Sequence, residues 1–195
     1  MPNKETLALT EESYSKIIST ILNGFDDLYG VHHYPNERIA TALSLEANLG
    51  MRISDIMQMT MKKIVHDGQR YRLETIEQKT QKKRTFTVPN EIYIYIQNYA
   101  LRNKIGEDEL LFPITDRQVQ KHLKLAADTL GYPSVSTHSF RKYFATSIYT
   151  ESGYNIMLVK QLLQHSSVAT TQRYVGIGSS ELEGALSKHI KLVNG

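Results

Sequence analysis

Apolar residues along this chain keep a helical rhythm, switch once to a strand rhythm, and then return to helices. Tyr14, Ile17, Ile18, Ile21, Leu22 and Phe25 recur at the spacing that lines one helix face. Thr10 stands ahead of them as a cap, Glu11 and Glu12 fill the first turn, and Asn23-Gly24 marks the end. The segment D-D-L-Y-G-V-H-H-Y-P that follows reads as a loop. A second helix is predicted from Asn36 to Gly50, because glycine accepts the left-handed backbone that commonly ends a helix. In the next stretch, G-M-R-I-S-D-I-M, Ser54 is the expected cap of a third helix, with Asp55 in its first turn. Arg52 then stands at the helix entry, where a side chain and N-terminal amides can converge on one anion.

Alternation replaces the helical period after residue 63. I-V-H, R-Y-R-L-E-T-I and R-T-F-T-V-P read as three short strands, joined first by Asp67-Gly68 and then by Q-K-T-Q-K-K. The second turn lifts Lys79, Lys82 and Lys83 away from the sheet, and Pro89 ends it. Ile92, Tyr95, Ile96 and Tyr99 restore a helix; Tyr93, Tyr95 and Tyr99 could stack on bases, but aromatic residues at this spacing more often fill a core, and core is the expectation. Thr115 and Gln118 form a capping box ahead of Val119, Leu123, Ala126, Ala127 and Leu130, with Arg117, Lys121 and Lys124 as a basic stripe elsewhere on that helix. Beyond Tyr174, V-G-I-G-S-S is a flexible link to a C-terminal helix over residues 179–193. Its apolar stripe, including Leu182, Leu186 and Ile190, must be buried on its own domain or on a neighbouring protomer.

Composition narrows the class. At 195 residues, with 41% hydrophobic and 22% charged content, the chain suits one domain over residues 1–195 with a flexible start at 1–9. It contains no apolar run of membrane-spanning length and no signal-peptide pattern, so a cytoplasmic location and no membrane partner are expected. The absence of cysteine excludes thiol catalysis, disulfides and cysteine-bound zinc. His32-His33 lacks an evident carboxylate or thiol partner and is not read as a metal site. No carboxylate cluster suits Mg²⁺ and no Walker-type glycine loop is present, so neither metal nor cofactor is expected.

The net charge of +3 conceals an uneven distribution. Residues 1–61 hold four basic against eight acidic side chains, whereas residues 62–84 hold eight against three. The basic block is either an electrostatic footprint for a phosphate backbone or a solvated hairpin.

Candidate chemistry concentrates between Thr137 and Tyr174, in T-H-S-F-R-K, L-L-Q-H-S-S and T-Q-R-Y. Arg141 offers a planar fork for a phosphodiester, His138 and His165 can move protons near neutral pH, and Tyr174 is a potential nucleophile. His138 and Arg141, three apart, share one helix side. His165 and Tyr174, nine apart, face opposite sides of a straight helix, so the chain must break between them to serve one site. Ser166-Ser167 supplies that break, since serine caps new helices. Any one of these residues taken singly is more often an ordinary core or surface residue; the joint spacing carries the argument.

The ordered set R-I-S-D, K-T-x-K, H-x-x-R and Q-H-S-S with a tyrosine nine residues past the histidine closely resembles the catalytic domain of the tyrosine recombinase, or phage integrase, family, over roughly residues 8–190. The resemblance implies a mainly α fold with a small three-stranded antiparallel β-sheet. It implies strand cleavage and rejoining through a covalent 3′-phosphotyrosine, without metal or ATP. Arg52 and Arg141 would clamp the scissile phosphate, Lys79 would be the general acid for the leaving 5′ oxygen, and His138 a base or acid beside them. His165 would donate to the phosphate, and Tyr174 would be the nucleophile. Double-stranded DNA is the expected partner, met by Lys82, Lys83, Arg84, Arg117, Lys121 and Lys124. A homo-oligomer, a tetramer on DNA, is expected to exchange C-terminal helices. Asp55 stands where the family usually has Glu, and Gln164 where glycine is common. Family members generally carry an N-terminal core-binding domain, for which there is no room before residue 10, so the catalytic part alone is expected. The alternatives are a type IB topoisomerase-like enzyme, sharing the chemistry without a partner site, and a DNA-binding module without activity.

Overall fold

A computed structural model describes residues 8–76 and 83–175. The chain divides into two compact units, Met1–Phe144 and Ala145–Gly195. In the first, α1 (Glu11–Asn23) opens on the expected Thr10 cap, whose hydroxyl accepts the Ser13 amide while Ser13 returns a bond to the Thr10 backbone. Ile17 and Ile21 bury the stripe read from the sequence.

The segment read as a loop contains a minimal hairpin instead, in which β1 (Phe25–Asp26) pairs antiparallel with β2 (His32–His33). Asp27 closes it by accepting the amides of Tyr29 and Val31, and Gly30 supplies a positive φ. Strands of two residues are too short to show alternation, which is why the sequence pattern missed them.

α2 (Glu37–Leu49) starts at the Asn36 cap and is buried nearly all round, with ten of its thirteen residues out of solvent. It is the central rod of the first unit, and Gly50 ends it in the left-handed conformation. α3 (Ile53–Ile56) begins two residues earlier than a Ser54 cap would allow: Arg52 holds the cap position without a side-chain cap bond, and Ser54 lies inside the helix. The buried Ile53 fixes this register, because packing of its side chain outweighs the gain from a serine cap.

A 3-10 turn at Met61–Lys63 leads into the three predicted strands, β3 (Ile64–His66), β4 (Tyr71–Ile76) and β5 (Lys83–Val88), paired antiparallel in the order β3-β4-β5. Ile64, Leu73 and Phe86 stand opposite one another and form the buried face of the sheet. α4 (Asn90–Arg102) buries Ile96 and Tyr99, as the core reading of its aromatic residues expected; Tyr93 stacks on Tyr71 at 3.6 Å between ring centroids, while Tyr95 keeps 39% exposure with its hydroxyl on Thr41. α5 (Asp116–Thr129) opens on the Thr115–Gln118 capping box and packs Val119, Leu123 and Ala126 inward.

α6 (Thr137–Glu151) carries the chain from the first unit into the second. Its first turns are seated in the first unit's core through Phe140, and Tyr14 of α1 stacks on Tyr143 at 5.2 Å. The second unit adds α7 (Ile156–Leu162) and α8 (Val168–Val175), which pack on each other with Val159, Leu163, Thr171 and Val175 buried. Lys79, Lys82 and the C-terminal helix expected over 179–193 lie outside the described residues.

Leu73 sits at the centre of the sheet's buried face with no exposure, so Leu73→Ala is expected to cost about 2–5 kcal/mol, whereas the 42% exposed Val65, one strand away, should tolerate alanine with little loss. Thermal or denaturant unfolding of the two variants checks the difference.

Candidate active site

In the first unit the geometry starts from the end of α2. Gly50 adopts φ 60°, ψ 20°, and its amide donates to the Glu46 carbonyl at 3.0 Å. A side chain at such a backbone costs on the order of 1 kcal/mol or more, which glycine avoids. This sharp stop sends Met51 into the core and leaves Arg52 at the mouth of α3, where its own carbonyl accepts the amides of Asp55 and Ile56.

Gly50 also receives the second arginine. Nη1 of Arg141 donates to the Gly50 carbonyl across 91 residues of sequence, and Arg141 is only 1% exposed. α6 presents this side chain because Phe140 and Arg141 share its inward face, while Ser136 and Ser139 cap its start with reciprocal bonds. The sequence pattern placed His138 and Arg141 on one helix side; the structure keeps them neighbours but sets His138 at the solvent edge and Arg141 inside.

His138 feels this neighbourhood. Packing around the ring, followed by the positive charges of Arg141, Arg52 and Lys142, holds its pKa below the usual imidazole value. The ring therefore favours its neutral form near pH 7, the state a proton acceptor requires. Three of the six residues expected at the phosphate, Arg52, His138 and Arg141, are thus gathered at the Gly50 turn.

In the second unit the predicted break is present. α7 ends in a Schellman-type stop: the His165 amide donates to the Lys160 carbonyl at 3.0 Å, the Gln164 amide to Gln161 at 3.1 Å, and Gln164 carries φ 53°. Glycine suits such a site, which gives a physical reason for the family's glycine and marks Gln164 as a strained departure. Ser167 caps α8 through the Thr170 amide at 3.2 Å, so the second of the two serines is the one that restarts the helix. The break brings His165 and Tyr174 together, edge to face, with ring centroids 5.0 Å apart. Nδ1 of His165 lies 3.1 Å from the hydroxyl of Thr171, which is wholly buried and reaches the Ser167 carbonyl at 3.4 Å. Thr171 was not singled out from the sequence; its position one helical turn before Tyr174 in T-Q-R-Y was the available signal.

The expected DNA-contact residues are distributed over exposed surface. Lys83 pairs with Glu74 at 2.9 Å and Lys124 with Asp128 at 2.8 Å, both solvent-exposed pairs worth little and easily exchanged for a phosphate. Arg117 and Lys121 are exposed on α5, and Arg84 is half-buried on β5. His32 and His33 do have carboxylate partners, Asp26 at 2.6 Å and Asp27 at 2.9 Å, which corrects the sequence reading. Even so, among the described residues no group of three or more metal-ligating side chains could hold an ion.

Residues 8–179 match the model of the phage integrase family. The chain is 31% identical over 145 residues to a probable integrase/recombinase, YoeC, of Bacillus subtilis, covering 71% of this chain and 77% of that one. It is 27% identical over 199 residues to the tyrosine recombinase XerC of Caldanaerobacter subterraneus, covering 95% of this chain but 52% of XerC, so it spans about half the length of that relative. In fold it is similar to the XerH site-specific recombinase bound to a palindromic difH substrate in a post-cleavage complex, with a TM-score of 0.72 at 18% identity, covering 96% of this chain and 54% of XerH.

Two outcomes follow from this geometry. Gln164→Gly is expected to stabilise the protein by roughly 0.5–1 kcal/mol, the relief of left-handed strain less the entropy glycine adds to the unfolded chain, and denaturant unfolding checks it. The His138 ring is expected to titrate below the usual value of about 6.5. With its folded pKa depressed, its contribution to stability is full above the unfolded pKa and is lost as pH falls through the folded one. Arg52→Ala should raise the NMR titration midpoint of His138.

Proposed function

The chain belongs to the phage integrase family, and from that premise we propose that it is the catalytic domain of a tyrosine recombinase that cuts and rejoins double-stranded DNA at specific sites. The observation that carries this reading is the placement of Tyr174 against His165 by a helix break that no straight helix could replace. The gathering of Arg52, His138 and Arg141 at the Gly50 turn supports it.

In the proposed reaction Arg52 and Arg141 hold the non-bridging oxygens of the scissile phosphate and the charge that grows on them, which is usually the largest catalytic contribution. The Tyr174 oxygen attacks phosphorus and the bond to the 5′ oxygen breaks. The phenol proton passes to a base, for which the neutral His138 is suited, and the departing 5′ alkoxide takes a proton from Lys79. His165, steadied by Thr171, donates to the phosphate. The 3′-phosphotyrosine keeps the energy of the broken bond, so religation needs no ATP, and the surrounding cations leave no charge for a metal to neutralise. Because Arg141 is buried, engaging the phosphate has to uncover its guanidinium.

Lys82, Lys83, Arg84, Arg117, Lys121 and Lys124 are proposed to track the DNA backbone, and the counterions released as phosphates are neutralised make that contact salt-dependent. The chain is proposed to act as a single catalytic domain within a homotetramer on DNA, with the apolar stripe of residues 182–193 docking between protomers. Among the described residues no helix is long and apolar enough to cross a membrane, and a cytoplasmic, DNA-associated location is part of the same proposal.

Trapping the protein on nicked duplex DNA and sequencing the attached strand tests the function and identifies the site. A denaturation-resistant adduct is expected for the wild type in excess EDTA and without nucleotide. Tyr174→Phe should form none while binding DNA nearly unchanged, and Arg52→Ala or Arg141→Ala should lose on the order of 3 kcal/mol or more of transition-state stabilisation. An adduct in the Phe variant, or cleavage that needs Mg²⁺, would overturn the assignment.

A further inference from the structure

Glu46 is an acid in a place where carboxyl groups are rarely buried. It lies in the last turn of α2, the helix buried nearly all round, and is itself 1% exposed. A buried carboxyl that meets a guanidinium recovers its desolvation cost only with excellent geometry and with its remaining lone pairs satisfied. Here the geometry is incomplete, since Oε2 has no hydrogen-bond partner.

Glu46 is linked to the surroundings of both arginines. Its carboxyl accepts the amide of Ile53, the residue directly after Arg52, and so ties the start of α3 to the end of α2. From α6 the Arg141 guanidinium acts on the same carboxyl electrostatically. Its own backbone carbonyl receives the Gly50 amide, and the Gly50 carbonyl in turn receives Arg141. One residue therefore meets the entry of Arg52, the turn between the helices, and the guanidinium of Arg141.

We propose that Glu46 is a positioning residue for the phosphate clamp: its carboxyl fixes the α3 entry that carries Arg52 and orients the Arg141 guanidinium against the Gly50 carbonyl. The idea rests on the proposed recombinase reading. The charge state fits the role, because burial pushes the carboxyl's pKa well up against the opposing pull of Arg141 and the Ile53 amide. A neutral acid still accepts the Ile53 amide and leaves the positive charge of Arg141 undiminished for a phosphate.

Three variants separate positioning from structure. Glu46→Leu removes the acceptor and keeps the volume. It should fold with a lowered melting temperature, because the Ile53 amide loses its acceptor, shift the Nε–Hε NMR signal of Arg141, and slow single-turnover cleavage of the trapped DNA site about tenfold or more with DNA affinity unchanged. Glu46→Gln, which keeps an oxygen acceptor without charge, should restore the NMR signal and recover most of the lost rate. Glu46→Asp, one methylene shorter, should fold and yet cleave slowly.

A Leu or Asp variant cleaving at the wild-type rate overturns the proposal. So does a Gln variant that melts like the wild type and restores the NMR signal but cleaves as slowly as the Leu variant. If the wild type forms no covalent adduct, the recombinase reading fails, and the NMR measurement still decides the other point: an Arg141 signal unmoved by Glu46→Leu shows that Glu46 does not set it.

Discussion

A bond between a buried guanidinium and the carbonyl of a left-handed glycine organises the first unit of this protein. Arg141 donates to Gly50, and both ends are over-determined. Gly50 is held by the stop of α2, whose burial on almost every side leaves it little freedom to shift, and Arg141 is held by Phe140 beside it in the core. The turn that frees a carbonyl for Arg141 is also the turn that starts α3 at Arg52. Loss of the left-handed conformation at Gly50 would therefore move both arginines at once, although they lie 89 positions apart in sequence.

The second unit solves a different problem, that of bringing residues nine apart onto one side. It does so by ending α7 with a left-handed residue and restarting α8 at Ser167. The strain at Gln164 is sustained by the two Schellman bonds and by the buried Leu163 and Thr171 on either side of the turn. Thr171 then serves fold and site together, buried in the α7–α8 contact and bonded to His165. Within each unit a backbone stop positions the candidate residues, and a helix stop is fixed by many hydrogen bonds at once.

Much of this was legible in the sequence because its signals are local. The caps at Thr10 and Thr115, the start of α2 near Asn36, the stop at Gly50, the alternation of β3 to β5, and the serine break before Tyr174 each follow from a few adjacent residues. The exceptions were decided by tertiary contacts. Ser54 lost the cap of α3 to the packing of Ile53, and the hairpin at residues 25–33 depends on Asp27 bonds rather than periodicity. The burial of Arg141 was not legible, because no local pattern says that a guanidinium will be drawn to a carbonyl far along the chain. Glu46 was invisible for the same reason: it interrupts an apolar run in α2, and its partners come from α3 and α6.

The central claim is that the Gly50 turn delivers Arg52 and Arg141 to one phosphate. The most direct measurement is a crystal structure of the chain trapped covalently on its nicked DNA site. The account predicts Tyr174 bonded to a 3′ phosphate whose non-bridging oxygens are contacted by both guanidinium groups, with Arg141 still donating to the Gly50 carbonyl. A phosphate held by one arginine alone, or an Arg141 turned away from Gly50 when DNA is bound, would contradict it.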